Sequence, residues 1–150
     1  MRDKARRMAL GGLLPILLSA LPAHAQPSDP VLGRWWTPDH DGVVDIQRCR
    51  SGLCGRVVGI SEMLPDGRMP VDSQGRSRCN LQIISDGTQE RDGTWDSHIT
   101  NPDDGKTYTI TLRTDAGRLR MRGYIGITLF GRTVYWQRFN GRTTPDCRVE

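Results

Sequence analysis

The sequence has little with which to run a reaction. Beyond its first 25 residues it holds two histidines, His40 and His98. There is no G-x-S-x-G elbow and no H-E-x-x-H pair, so neither a serine hydrolase nor a zinc peptidase announces itself. The acids scatter through turn-like stretches, and no two carboxylates are set out for acid and base work. Asp96 and His98 share a strand face by their i, i+2 spacing, an arrangement that fits a surface pair better than a catalytic one. C-x2-C is missing, which removes the common zinc modules. No catalytic residue, metal site or cofactor is expected. Also lacking are a helical period after residue 31, an internal repeat and a second domain. The one long apolar run, Met8 to Leu21, falls short of the ~20 residues that span a bilayer, and Pro15 interrupts it.

That run reads as an address. Arg2, Lys4, Arg6 and Arg7 precede it, and Ala23-His24-Ala25 follows as a small-x-small cleavage site, which marks residues 1–25 as a signal peptide. No cysteine stands at the cleavage point, which argues against a lipid anchor, and no stable membrane anchor is expected after cleavage. Removing 25 of 150 residues leaves 125, enough for one domain with its own core, taken as 26–150. The 21 Lys and Arg lose four and the 17 Asp and Glu lose one, so the mature charge is +1. Nucleic acid is not an expected partner. Cys49, Cys54, Cys79 and Cys147 all remain, and an even count in an exported chain predicts disulfides. A periplasmic or secreted location follows.

The rest is short alternating segments cut by Gly, Asp, Asn and Pro. Eight candidate strands fall near 31–37, 43–50, 53–60, 80–85, 94–100, 106–113, 118–124 and 132–139. In "TYTITLRT", Tyr108, Ile110 and Leu112 alternate with threonines; in "RLRMRGY", Leu119, Met121 and Gly123 oppose Arg118, Arg120 and Arg122. The spacing predicts an all-β, antiparallel, up-and-down barrel. A long polar loop at 61–79 is either a lid or an excursion. Ser51-Gly52 reads as a two-residue hairpin turn, which sets Cys49 directly opposite Cys54, within disulfide reach. Elimination then pairs Cys79 with Cys147.

Two stretches invite functional readings. "NPDDGKTY" (101–108) ends like a phosphate loop, but Thr100 stands where the first glycine belongs, and a strand pattern follows where a helix is required. Read as a calcium loop from Asn101, it puts Gly105 at position 5 and Leu112 at position 12, which fails as well. A hairpin turn remains. "IGITLFG" (125–131) is either an apolar flap at the barrel mouth or an inward plug, and the plug is favoured because so small a barrel has few other ways to close an end.

Four blocks, "GRWWTPDHDGVVDIQRC", "LCGRVVGI", "NPDDGKTYTITLR" and "RGYIGITLFGRTVYWQR", together resemble the DUF2147 family of exported bacterial proteins. The family's N-P-x-x-G-K-x-Y stands at Asn101, Pro102, Gly105, Lys106 and Tyr108. Its R-G-Y-x-G-x-x-x-x-G-R-T stands at Arg122, Gly123, Tyr124, Gly126, Gly131, Arg132 and Thr133. The resemblance implies a lipocalin-like barrel of the calycin type. It also implies that Gly33-Arg34-Trp35 is the G-x-W of the first strand, with Arg138, or second Arg132, packing across Trp35. The 61–79 loop is where the chain departs from the family pattern.

The function expected is non-catalytic binding of a small apolar or amphipathic ligand inside the barrel. The interior candidates are Trp95, Tyr108, Ile110, Leu112, Leu119, Met121 and Trp136, joined by Val44, Ile46 and Ile83; Tyr108 or Arg122 would orient the ligand. The other expectation is a protein-interaction module of the envelope, an inhibitor or an assembly or stress factor, with a packed core and no ligand.

Overall fold

A computed structural model describes residues 29–124 and 131–150. Residues 1–28, which hold the expected signal peptide, and residues 125–130, with Gly126 and most of the flap-or-plug segment, lie outside the described residues. Eight antiparallel strands follow in chain order: β1 (Gly33–Trp36), β2 (Gly42–Cys49), β3 (Gly52–Ile60), β4 (Gln82–Gln89), β5 (Trp95–Thr100), β6 (Thr107–Asp115), β7 (Arg118–Tyr124) and β8 (Arg132–Arg138). Each pairs with the next, and β1 pairs with β8 through Trp35↔Arg138 and Trp36↔Gln137, closing the barrel. There is no helix among the described residues.

Period-two alternation decides the interior. Val44, Ile46, Ile83, Trp95, Ile110, Leu112, Leu119, Met121 and Trp136 are buried in one core cluster, while Tyr108 is half-buried. One end of the barrel is sealed by Asp29 to Leu32. Trp35 is fully buried, and its Nε1 donates to the Val31 carbonyl at 2.9 Å. Arg138 lays its guanidinium 3.6 Å from the Trp35 ring centroid and donates to the carbonyls of Leu32 (2.7 Å) and Pro30 (2.8 Å). Burial pulls its pKa below the ordinary arginine value, yet the group stays charged, and the ring face is worth about 1–2 kcal/mol to it. Arg132 stands at the opposite end of β8, paired with Gly123. A second latch is the Asp29 carboxylate, which accepts from Trp95 Nε1 (2.8 Å) and Gln89 Nε2 (2.9 Å).

Two local expectations are corrected. The β2–β3 turn is Arg50-Ser51, one residue earlier than expected, so Cys49 pairs with Gly52 and Cys54 faces Gln47. The Cys49–Cys54 disulfide forms across a diagonal with Cα atoms 5.9 Å apart, still within bridging distance. Gly52 is the first residue of β3, paired with Cys49, and the position needs glycine because φ is 101° and a Cβ would overlap the Gly87 carbonyl. β4 continues to Gln89 instead of ending at 85. Asp86-Gly87 has the chemistry of a turn, but Asp86 (φ 57°) spends its left-handed backbone on a bulge, where the β4–β5 register jumps between Ser85 and Thr88. Gly87 lets Leu53 press against the bulge, since a Cβ there would collide with the Leu53 side chain.

The 61–79 loop is tied down at several points. Cys79 is bridged to Cys147, with Cα atoms 5.5 Å apart. Ser73 N–H donates to the Pro102 carbonyl at 2.8 Å, and Arg78 pairs with Asp103. Met63 and Met69 pack against the core. The loop therefore lies over the barrel end opposite Asp29 and is held to the 101–106 turn.

Candidate functional site

That far end is hollow. A cavity of about 650 Å³ opens there, within the usual size range of small-molecule sites. Its floor is apolar, with Val44, Val57, Ile83, Met121, Val134 and Trp136 as the deep wall. Its rim is built by the 37–42 turn, the start of the long loop (Glu62, Met63, Leu64) and the 101–103 turn. Loops can edge a cavity here because their own polar groups are satisfied locally. Asn101 N–H donates to the Lys106 carbonyl (2.8 Å), Asp103 N–H to Asn101 Oδ1 (2.9 Å) and Lys106 N–H to Asp104 Oδ1 (2.9 Å), with Gly105 at φ 72°. "NPDDG" is thus a turn whose shape also edges the cavity.

The interior candidates divide. Tyr108, Met121 and Trp136 line the cavity, as do Val44 and Ile83. Trp95, Ile110, Leu112 and Leu119 are buried but form no part of the cavity wall, and Trp95 is tied to Asp29 at the sealed end. Arg122 is corrected: it lies between the inward Met121 and Gly123, pairs with Thr111 and Thr133, and belongs to the outer face, not the interior. His98 is exposed on β5 beside inward Ser97 and Ile99, so it too faces away from the cavity. Among the described residues no group of three or more His, Cys, Asp or Glu is placed to hold a metal.

One polar atom of the wall is unmatched. Trp136 is 4% exposed, and its Nε1–H is buried with no hydrogen-bond partner among the described residues. The other two buried tryptophans, Trp35 and Trp95, have theirs paired to Val31 and Asp29. An orphaned buried donor costs about 1–3 kcal/mol.

The family described as an uncharacterized protein conserved in bacteria (DUF2147) matches residues 33–138. The chain belongs to that family. The matched span starts at the first residue of β1 and ends at the last of β8, so the DUF2147 unit is the barrel itself. The Asp29–Leu32 seal and the tail with Cys147 lie outside it. No curated protein and no solved structure matches the chain significantly. Sequence reasoning missed the rim: Asp39, Asp41, Glu62 and Arg78 sit in turns and loops, where alternation carries no signal.

The loop over the rim carries a pH-dependent clasp. Burial pushes the Asp72 carboxyl up. The Arg76 amide (2.8 Å), the Arg76 guanidinium (2.7 Å) and the Gln74 amide (2.9 Å) outweigh it and hold the group below its ordinary 3.8. A depressed carboxylate contributes stability above its unfolded pKa and loses it as pH falls through the folded value. Hydrogen-exchange protection of the Gln74 and Arg76 amides is therefore expected to fall below about pH 3.8, before that of the β6 and β7 amides. Loss of protection in both regions together would show that the clasp has no separate role.

Proposed function

We propose that this DUF2147 protein is an exported, non-catalytic barrel that holds a small apolar or amphipathic molecule in its open end. The observation that carries the reading is the cavity of about 650 Å³ with its apolar floor of Val44, Val57, Ile83, Met121, Val134 and Trp136. Binding would proceed by desolvation of the apolar part, with the half-buried Tyr108 as a polar guide. Two disulfides fit an oxidising compartment. With the leader-like residues 1–25, they favour a periplasmic or secreted location after cleavage near Ala25.

Native mass spectrometry with organic extraction, on protein purified from its own host, tests the reading. A co-purifying apolar molecule is expected, and Val134→Trp, which puts an indole into the cavity wall, is expected to expel it without lowering the melting temperature by more than a few degrees. A ligand-free protein from every growth condition would overturn the proposal and favour an envelope protein-interaction role.

A further inference from the structure

The barrel closes along a seam only two residue pairs long. β8 has seven residues, but β1 meets it at Trp35↔Arg138 and Trp36↔Gln137 alone. The Phe139 amide donates to the Arg34 carbonyl at 3.0 Å, so the odd-numbered residues of this stretch point their backbone N–H and C=O toward β1. Carried onward, the same ladder would set Pro38 against Tyr135 and His40 against Thr133. Neither takes the place. Proline has no N–H to give. The chain has also turned back by then, with Thr37 N–H on the Gly42 carbonyl and His40 N–H on the Thr37 carbonyl. Thr133 and Tyr135 therefore present alternating donors and acceptors along an edge, and among the described residues no backbone group pairs with them on that side.

Positive charge flanks the edge. Arg120 stands opposite both Arg113 and Tyr135, and like charges set directly across a ladder destabilise it. Arg118 lays its guanidinium 4.3 Å from the centroid of the exposed Tyr135 ring, on the edge strand itself. Asp115 stands opposite Arg118, yet among the described residues neither Arg118 nor Arg120 enters an ion pair. On its inner side the edge borders the cavity, whose wall holds both Pro38 and Val134. We infer that this edge docks an extended, acidic segment of a partner protein, which adds a strand to β8. Its apolar side chains turn in over the cavity mouth toward Val134, and its acidic ones turn out beside Arg118 and Arg120. Backbone donors and acceptors at strand spacing are matched by another strand, and the arginines select its charge. Such docking requires no small molecule in the cavity.

Three seven-residue peptides, acetylated and amidated at their ends, test the edge by calorimetry: an alternating Glu/Val peptide, its Lys/Val counterpart, and the Glu/Val peptide N-methylated throughout. The Glu/Val peptide is expected to bind about 10-fold or more tighter than the Lys/Val peptide, and about 10-fold or more tighter than the N-methylated one, which keeps the charge and has no backbone donor. Arg118→Gln with Arg120→Gln is expected to bring the two charged peptides within about 3-fold. Tyr135→Pro removes an edge-facing N–H and no ladder bond to β7, and is expected to weaken the Glu/Val peptide about 10-fold. Hydrogen exchange reads the same edge without a variant: the Thr133 and Tyr135 amides are expected to exchange freely in the protein alone and about 10-fold or more slowly with the Glu/Val peptide bound. Protection of both amides in the protein alone would show the edge already covered and overturn the inference. Lys/Val or N-methylated peptide binding as tightly as Glu/Val, or no binding by any of the three, would overturn it too. A charge preference that survives loss of both arginines would overturn their part in it.

Discussion

Replacing Trp35 by alanine is expected to lower the unfolding free energy by about 3–5 kcal/mol, the range for truncating a large buried aromatic. Three separate functions meet in that side chain. It is fully buried in the core, so its loss opens a void that neighbouring strands cannot refill without breaking the β1–β8 closure. Its Nε1 satisfies the Val31 carbonyl, which would be left short of a donor. Its face carries the Arg138 guanidinium, which would keep its desolvation and lose the ring. Trp35→Phe retains most of the packing and is expected to cost about 1–3 kcal/mol, mainly for the lost hydrogen bond. Urea unfolding followed at equilibrium measures both. A loss below about 1 kcal/mol for the alanine variant would mean that the seal from Asp29 to Leu32 holds the barrel end without Trp35.

The two disulfides are expected to differ about two-fold in their effect. Cys79 and Cys147 are 68 residues apart and Cys49 and Cys54 are 5 apart; by chain entropy the long bridge contributes about 4 kcal/mol and the short one about 2. The long bridge has a local role as well. Next to Cys79 lies Arg78, which holds the rim through Asp103, and the Cys147 carbonyl accepts from Ile60 N–H at 2.7 Å. The tail beyond Phe139 covers the outside of the barrel, where a Cβ on Gly59 would meet Thr143, Val43 and Val149 side chains. A Cys79→Ser, Cys147→Ser variant is therefore expected to lose more stability than Cys49→Ser, Cys54→Ser, and to expose the 61–79 loop to protease while the strands stay protected. Equal losses from the two variants would place the stabilisation in local packing, not in chain entropy.

What was legible in the sequence follows from where periodicity applies. β6 and β7 alternate strictly, and the buried set Ile110, Leu112, Leu119 and Met121 was readable from that alone. The same rule placed Arg122 outside, against the thought of using it to orient a ligand; its position in a family string gave it a weight that its parity denies. Alternation says which face a residue takes and nothing about depth along the barrel axis. Trp95 and Trp136 therefore looked equivalent, although one closes the Asp29 end and the other lines the cavity. Turn chemistry misled in β4, because Asp86-Gly87 needs the same left-handed backbone in a bulge as in a hairpin turn. It misled again at Ser51-Gly52, where the turn is Arg50-Ser51 and the glycine serves the strand start, by its φ of 101° and the close approach of the Gly87 backbone. The acidic rim was invisible because it assembles from three connections far apart in the chain.

The central claim is that the barrel's open end is a binding cavity with Trp136 in its wall. The tryptophan indole region of a ¹H–¹⁵N spectrum, titrated with lauroylcholine, an amphiphile with a twelve-carbon chain, tests it directly. The sequence has four tryptophans, and Trp136→Phe assigns the relevant peak. Trp35 and Trp95, already bonded to Val31 and Asp29 at the sealed end, serve as internal references. The account predicts a saturating shift of the Trp136 Nε1–H resonance, as its ring meets the probe, while those of Trp35 and Trp95 stay in place. A Trp136 resonance that stays fixed at probe saturation, or three resonances that move together, would contradict it.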